Sequence, residues 1–422
     1  MALYVCLRGL IPSIHSPYYY YDLINTIIII RKWTHFTLGG IIHMHLTIQR
    51  DVFMQAVQDV SKAVASRTTI PILTGLKLEA HADGLTLTGS DTEISIERLI
   101  PIEEGGMELI QIQRAGSVVL NARFLGEIVK KLPTNEVTLE VSPNFMTRIE
   151  SGQAEFHLNG LDPDEYPRLP ELASDRRFYL PADLLKTIIR QTSFAVSSQE
   201  TRPVLTGVNF SAEKGFLTCV ATDSHRLALR RARFETDNDL TFQNVVVPGR
   251  SLNELAKLLD REELPIEIVL TDQQILFRMK NISFFSRLLD GAYPDTSRLI
   301  PEEYRTAVRM NAKEFLQAID RASLLARADR NNVIKFVAED TTAVEVSSHS
   351  PEVGKVSERV SILSLEGEEL KISFNSKFVM DALRALDASE IEIQFTGSMR
   401  PFILRPVEQD SVLQLILPVR TS

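Results

Sequence analysis

The chain has 422 residues, of which 44% are apolar and 24% charged, a composition that excludes collagen-like, fully disordered and disulfide-scaffold classes. At roughly 150 residues a domain, this length predicts about three domains. Its 46 basic and 55 acidic residues give a net charge of −9, which argues against a simple basic protein that coats DNA. The two cysteines, Cys6 and Cys219, cannot form a disulfide framework and are typical of a reducing cytosol. We therefore expect a multidomain protein in the cytoplasm.

Residues 1–43 differ in pattern from the rest of the chain. They contain a tyrosine run at 18–21 and an isoleucine run at 27–30, without a helical or strand period. Proline, histidine and charged residues interrupt the apolar stretches, whereas a membrane span needs about 20 consecutive apolar residues. We predict a disordered leader or a start-site artefact, and no membrane association. A regular pattern, a strand followed by a helix, begins at Met44.

Two amphipathic helices recur three times along the chain. One helix recurs at a constant spacing along the chain. The other helix recurs at a nearly equal spacing, and its apolar face starts at Phe53, Leu184 and Phe315. Equivalent positions in the first recurrence are Leu125, Leu252 and Val379; Glu127, Glu254 and Asp381; and Lys130, Lys257 and Arg384.

Loops repeat as well, because residues 73–75 reappear at 205–207 and Asp91 corresponds to Asp223. Between the helices lie alternating apolar and polar stretches that are typical of strands. The sequence thus predicts an α+β protein of three repeated domains, each with two helices backed by antiparallel sheet. The predicted domains are 44–172, 173–301 and 302–422.

Three such domains side by side would leave a sheet edge open at each end of the array. A head-to-tail association of two chains would pair these edges and close a ring. One exposed cation on a helix is usually just solvated, but Lys130, Lys257 and Arg384 occupy one repeated position. This recurrence predicts sequence-independent contact with the phosphates of a polyanion.

Three segments carry a resemblance to a known family: Ala-Thr-Asp-Ser-His-Arg-Leu at 221–227, Leu-Asp-Gly-Ala-Tyr-Pro-Asp at 289–295, and Leu-Pro-Val-Arg at 417–420. From residue 44 to 420 the chain resembles the bacterial DNA polymerase III β subunit, the replication sliding clamp. The resemblance implies a head-to-tail homodimer that forms a six-domain DNA clamp, with helices lining the hole. Such a ring would encircle duplex DNA and tether the replicative polymerase for processivity.

The resemblance also implies three groups of site residues. Apolar ring-closing contacts would join Phe156 and Leu158 of one chain to Leu324 and Leu325 of the other. Besides the repeated helix cations, the DNA-facing residues would be Arg67 and Gln199, with Arg202 close by. A pocket between the second and third domains would bind short peptides of polymerase, clamp-loader and repair proteins; its residues would be Leu205, Thr222, Ser224, His225, Arg226, Leu227, Pro294, Arg298, Leu299, Leu415, Leu417, Pro418, Val419 and Arg420.

Asp223, Ser224 and His225 also invite interpretation as a nucleophilic site. A catalytic triad, however, brings groups together from separate segments, and three adjacent residues rarely converge in that way. The sequence shows no phosphate-binding, dinucleotide-binding or zinc-protease motif, and its histidines lack ligand spacing. We therefore expect no catalytic site, cofactor or metal. The alternatives are a monomeric repeat scaffold that binds peptides without encircling DNA, and an enzyme that uses His225.

Overall fold

The computed structural model describes residues 44–65, 68–169, 176–234, 240–260, 264–327, 332–407 and 409–420. The predicted leader and Arg67 lie outside these ranges, as does the predicted domain boundary at 172/173. The boundary at 301/302 stays a prediction. In the described part of the chain, no helix is long and apolar enough to cross a membrane.

The described ranges contain six α-helices, arranged as one pair in each of three domains. Their apolar residues recur every three or four positions, so each helix buries one face against a sheet. Both predicted helix recurrences are confirmed. The helices are α1 Arg50–Val60, α2 Ala122–Lys131, α3 Ala182–Thr192, α4 Gly249–Leu259, α5 Ala312–Ala326 and α6 Ser376–Leu386.

The predicted alignment of the second recurrence is wrong by one residue in the middle domain. Phe53 and Phe315 are buried, but the buried residue at the equivalent place in α3 is Leu185, and Leu184 is half-buried. Two adjacent apolar residues fit either alignment in the sequence. The helix start decides between them, because α1 begins at Arg50 and α3 at Ala182.

The strands pair antiparallel throughout the described residues, as the alternating patterns predict. The first domain has β1 Met44–Gln49, β2 Gly75–His81, β3 Gly84–Ser90, β4 Ile94–Pro101, β5 Glu103–Glu104, β6 Met107–Glu108, β7 Ile110–Arg114, β8 Gly116–Asn121, β9 Glu136–Val141, β10 Met146–Ser151 and β11 Ala154–Asn159. The second has β12 Arg177–Leu180, β13 Gly207–Glu213, β14 Phe216–Thr222, β15 Arg226–Arg233, β16 Phe242–Pro248, β17 Ile266–Leu270, β18 Gln274–Arg278 and β19 Ile282–Arg287. The third has β20 Thr306–Asn311, β21 Val333–Ala338, β22 Ala343–Ser350, β23 Gly354–Ser361, β24 Ser364–Gly367, β25 Leu370–Asn375, β26 Glu390–Phe395, β27 Phe402–Pro406 and β28 Val412–Ile416.

Two sheets continue across the domain junctions. An eight-stranded sheet has the order β12-β17-β18-β19-β4-β3-β2-β8, in which β19 pairs with β4 of the first domain and Phe284 lies opposite Ile96. A nine-stranded sheet has the order β16-β13-β14-β15-β28-β27-β26-β20-β24, in which Leu227 lies opposite Leu415. Neighbouring domains are therefore joined edge to edge by backbone hydrogen bonds.

The remaining sheets end the array at both sides. A five-stranded sheet of order β11-β10-β9-β1-β7 belongs to the first domain, and a four-stranded sheet of order β23-β22-β21-β25 belongs to the third. Strands β5 and β6 form a separate hairpin. β11 and β23 are edge strands of these two sheets, and each presents an open edge.

The core of each domain lies between its helices and one face of its sheets. In β21, Ile334 and Phe336 are buried, whereas Lys335 between them is exposed. Phe336 packs against Phe315 of α5, with ring centroids 5.9 Å apart. Because successive strand residues point to opposite faces, the apolar face lies under the helices and the polar face points away from them.

Candidate functional site

The turn between β14 and β15 is organised by a carboxylate. Oδ1 of Asp223 accepts hydrogen bonds from the backbone amides of His225 at 2.9 Å and Arg226 at 3.0 Å. Ser224 has a φ of +75°, in the left-handed region, and its amide donates to Oγ1 of Thr222 at 3.1 Å. A residue with a short polar side chain tolerates this backbone better than a bulky one. The turn therefore presents the Ser224 and His225 side chains to solvent while its backbone stays fixed.

Arg226 is buried at the junction between the second and third domains. Its guanidinium donates to Oδ2 of Asp223 at 3.0 Å, to Oδ2 of Asp381 in α6 at 2.9 Å, and to the carbonyl of Phe194 at 2.7 Å. It also lies over the ring of Phe378, 4.7 Å from the centroid. These contacts occupy the guanidinium, so the geometry favours a role for Arg226 in positioning the turn. Direct contact of Arg226 with a peptide stays a prediction.

An apolar cluster forms the floor beside this turn. Val220, Leu227 and Leu415 are buried together, and Tyr293 packs against them. The hydroxyl of Tyr293 accepts a hydrogen bond from the amide of Thr222 at 3.0 Å. Burial raises the pKa of Tyr293 well above its usual value, so this hydroxyl remains neutral at physiological pH.

The C-terminal segment runs alongside the same turn. The amide of Leu417 donates to the carbonyl of His225 at 2.9 Å, and the amide of Val419 donates to the carbonyl of Ser373 at 2.8 Å. Leu417 is exposed, and Pro418 is half-buried. The structure thus brings together predicted pocket residues from two separate stretches of chain, the turn and the C-terminal segment.

The other predicted pocket residues lie on two further segments of the chain. Leu205 is buried in a short 3₁₀ helix that follows Arg202. Pro294, Arg298 and Leu299 are exposed on the segment that follows Tyr293. They are available as a rim, but no described contact joins them to His225.

Phe378 belongs with this site and was missed by the sequence analysis. Its ring centroid lies 6.4 Å from that of His225, and the same ring contacts Arg226. In the helix repeat, Phe378 corresponds to Phe124 and Ser251. The sequence assigned Phe378 no role beyond its place in the helix repeat, because its contacts come from another domain.

The predicted ring-closing residues lie beside the two open sheet edges. Phe156 and Leu158 are on β11, with Phe156 exposed and Leu158 half-buried. Leu324 is 66% exposed near the end of α5, and Leu325 is half-buried. This arrangement leaves apolar surface at both ends of the array.

Two further large apolar residues are exposed, one in the first domain and one in the third. Phe124 at the start of α2 is 59% exposed, and Val353 before β23 is 60% exposed. Phe124 occupies the repeat position at which Phe378 contacts the neighbouring domain inside the chain.

The three repeated helix cations are exposed, each in the last turn of its helix. Nζ of Lys257 lies 2.7 Å from Glu254, and the guanidinium of Arg384 lies 3.9 Å from Asp381. These acids occupy the repeat position of Glu127. Two of the three cations are thus partly neutralised by their own helix, which weakens any contact they make with phosphates.

Gln199 and Arg202 are exposed on the loop before the 3₁₀ helix at Pro203–Thr206. The amide of Gln199 donates to Oγ of Ser197 at 3.0 Å. Both side chains are free to contact a ligand. The predicted DNA contact of Arg67 lies outside the described residues.

The geometry of the turn does not assemble a catalytic triad. Both oxygens of Asp223 accept hydrogen bonds from the turn backbone and from Arg226. Nδ1 of His225 lies 3.3 Å from the backbone carbonyl of Asp223, not from its carboxylate. Among the described residues, no group of three or more His, Cys, Asp or Glu side chains could hold a metal ion.

Three α+β domains joined edge to edge, with open edges at both ends, define a clamp-type architecture. Family models for the N-terminal, central and C-terminal domains of the DNA polymerase III beta subunit match residues 44–170, 179–295 and 297–420. The chain belongs to this DNA polymerase III beta subunit family.

Individual relatives agree along most of the chain. The beta sliding clamp of Bacillus subtilis is 56% identical over 378 residues, which is 90% of this chain and all of the relative. The crystal structure of the DNA polymerase sliding clamp from Bacillus subtilis superposes with a TM-score of 0.87, over 90% of this chain and all of that chain. The DNA polymerase III beta chain structure from Streptococcus pneumoniae has a TM-score of 0.86 at 39% identity, over 90% of this chain and all of that chain.

Proposed function

We propose that this protein is a DNA sliding clamp: two copies associate head to tail into a ring that encircles duplex DNA and tethers the replicative polymerase. The observation that carries this proposal is the pair of open edges at β11 and β23, each flanked by exposed apolar side chains. Inside the chain, the same kind of edge is closed twice by the neighbouring domain. A third junction of this kind, made between two chains, would pair the β11 edge of one chain with the β23 edge of the other.

Burial of these side chains would favour ring closure. Full burial of one Leu, Val or Phe side chain contributes roughly 1.5–3 kcal/mol. Phe124, Phe156, Leu324 and Val353 are all partly exposed and would lose that exposure in the ring. Backbone pairing between β11 and β23 would also fix the register in which the two chains meet.

Weak contact with DNA suits a ring that moves. A closed ring holds DNA by topology, and tethering raises the local concentration of a bound polymerase without a tight grip. The exposed cations at the helix ends would contact phosphates without reading bases. Partial neutralisation by Glu254 and Asp381 keeps such contacts mobile.

The junction beside Asp223 is the proposed docking place for short peptides of the polymerase, the clamp loader and repair proteins. An apolar floor with a few fixed polar groups fits Leu and Phe anchors of such peptides. Both carboxylate oxygens of Asp223 already accept hydrogen bonds from the turn and from Arg226, which argues against nucleophilic chemistry there. We propose a cytoplasmic protein with no catalytic activity and no cofactor.

The first experiment measures retention on DNA. A protein starting at Met44 is loaded onto nicked circular plasmid by a matched clamp loader, and bound protein is measured before and after one linearising cut. We expect retention on the circle and loss after cutting, because a ring slides off free ends. Equal retention on both forms would indicate ordinary electrostatic binding and contradict the clamp.

A double variant tests whether retention on DNA depends on the apolar residues at the end of α5. Changing Leu324 and Leu325 to aspartate should abolish retention, since buried unpaired charges oppose ring closure. Met107→Asp, at a 63% exposed residue of β6, is the matched control and should retain DNA like the parent protein. No retention of the parent protein beside a working known clamp would favour the monomeric peptide scaffold.

A further inference from the structure

A groove of about 1090 Å³ crosses the third domain beside the end of the chain. Lys335 on β21, Glu345 and His349 on β22, Lys355 on β23 and Arg420 at the C-terminus line it. The residues come from three strands and the C-terminal segment, so the fold assembles the groove from separate stretches of chain.

The groove carries uncompensated positive charge. In the part of the chain that the structure describes, Lys335, Lys355 and Arg420 have no carboxylate partner within ion-pair distance, although ion pairs are numerous elsewhere. The one acid in the lining, Glu345, already accepts a hydrogen bond from Oγ of Ser357 at 2.8 Å. Three cations against one anion leave a basic surface on a chain of net charge −9.

The charged side chains of the groove lie on the sheet face that points away from the helices. Lys335 pairs across the sheet with Ser347, and His349 pairs with Lys355, all at polar positions of the alternating pattern. Their neighbours Ile334 and Phe336 point to the helix side and are buried. These charged residues therefore do not share a face with the helix cations proposed to contact DNA.

The groove is continuous with the proposed peptide pocket. The C-terminal segment passes from the His225 carbonyl, where Leu417 donates, to the Ser373 carbonyl, where Val419 donates. Val419 and Arg420 then line the groove. A polypeptide leaving the pocket along this segment would meet the basic groove within a few residues.

We propose that the groove binds an acidic stretch that flanks the docking peptide of a partner protein. This inference rests on the proposed peptide pocket. Aspartate and glutamate side chains would pair with Lys335, Lys355 and Arg420, which would lengthen the time a partner stays bound and distinguish among partners. The groove would thus select peptides by their flanking charge, while the apolar pocket recognises their anchors.

The test uses fluorescein-labelled peptides and the full chain in anisotropy titrations. One peptide carries only the Leu and Phe anchors. A second peptide adds four aspartates before the anchors, and a third adds four aspartates after them. We expect one acidic extension to tighten binding about fivefold to twentyfold at about 50 mM salt, from a few exposed ion pairs. The gain should fall below about twofold at about 500 mM salt, because salt screens exposed charges.

The charge-reversal variant Lys335→Glu with Lys355→Glu should remove the gain and leave binding of the anchor-only peptide unchanged. The control variant, Lys214→Glu with Lys313→Glu, makes the same change in net charge at exposed lysines outside the groove and should keep the gain. Anchor-only binding also verifies that each variant is folded.

Several outcomes would overturn the inference. Equal affinity of all three peptides would refute the acidic extension while leaving the pocket intact, whereas no binding of the anchor-only peptide would refute the pocket itself. If the groove variant shifts the dimer mass in light scattering and leaves peptide binding unchanged, the occupant is a second copy. If it instead weakens binding of a short DNA duplex alone, the groove is a DNA contact.

Discussion

The guanidinium of Arg226 joins two domains through one side chain. It bonds to the turn that precedes it and to α6 of the next domain, and two phenylalanine rings flank it. The equivalent turn of the first domain has the same backbone, since Thr92 has a φ of +78° and Asp91 accepts from the amide of Ile94 at 2.8 Å. There the cross-domain cation is Arg250, which donates to Asp91 at 2.8 Å. The repeat therefore extends to backbone conformation, while the cation that bridges the domains comes from a different element.

Arg226→Ala should loosen the junction between the second and third domains. Removing the cation of a buried ion pair leaves Asp223 without its cation and Asp381 with only the 3.9 Å contact to Arg384, and costs about 3–5 kcal/mol. We expect a lower urea midpoint and faster hydrogen–deuterium exchange in β28 and α6.

Arg231→Ala is the matched control, because Arg231 lies over the ring of Phe216 on the exposed surface, 4.2 Å from its centroid. Loss of such an exposed cation–π contact costs about 0.5–1 kcal/mol. If both variants lower the midpoint equally, Arg226 does not hold the junction.

At the level of elements, β26 depends on a buried carboxylate. Burial alone would raise the pKa of Glu392, but hydrogen bonds from Arg405 and Arg309 outweigh it and lower that pKa below its ordinary value of 4.5. Arg309 lies on β20 and Arg405 on β27, the two strands that pair with β26. The carboxylate therefore ties three adjacent strands of the third domain together.

The stability of the third domain should fall in acid. Because the folded-state pKa of Glu392 is depressed, its contribution is fully present above about pH 4.5 and is lost as the pH falls through the folded-state value. We expect the urea midpoint of the third domain to decrease more steeply below about pH 4.5 in the parent protein than in Glu392→Gln. Parallel curves for the two proteins over that range would show that Glu392 makes no such contribution.

For the whole molecule, continuous sheets make the domain array a stiff arc. Backbone pairing at β19–β4 and β15–β28 joins each domain to the next, and apolar side chains remain exposed at both free ends. Stiff arcs with matching ends close into a ring with less loss of conformational freedom than flexible ones. Function at this scale follows from topology more than from any single contact.

Topological retention leads to a distinct expectation for linear DNA. Bulky protein blocks attached at both ends should restore the retention that linearisation abolishes, because a closed ring cannot pass them. One block should restore it only in part, since the ring leaves by the other end. Bound clamp is measured by gel filtration, and retention that ignores the blocks would contradict a ring.

The sequence by itself determined the three-domain α+β organisation, since the period of apolar residues and its threefold recurrence need no tertiary information. It also pointed to the turn of Asp223, which lies in a segment with a specific resemblance, and that resemblance implied roles for Phe156 and Leu324. Only the tertiary structure decided the alignment of α3, where Leu184 and Leu185 are equally apolar and packing selects one. It alone showed that Phe378 meets His225 and that Asp381 pairs with Arg226, because these partners lie more than a hundred positions away in the chain.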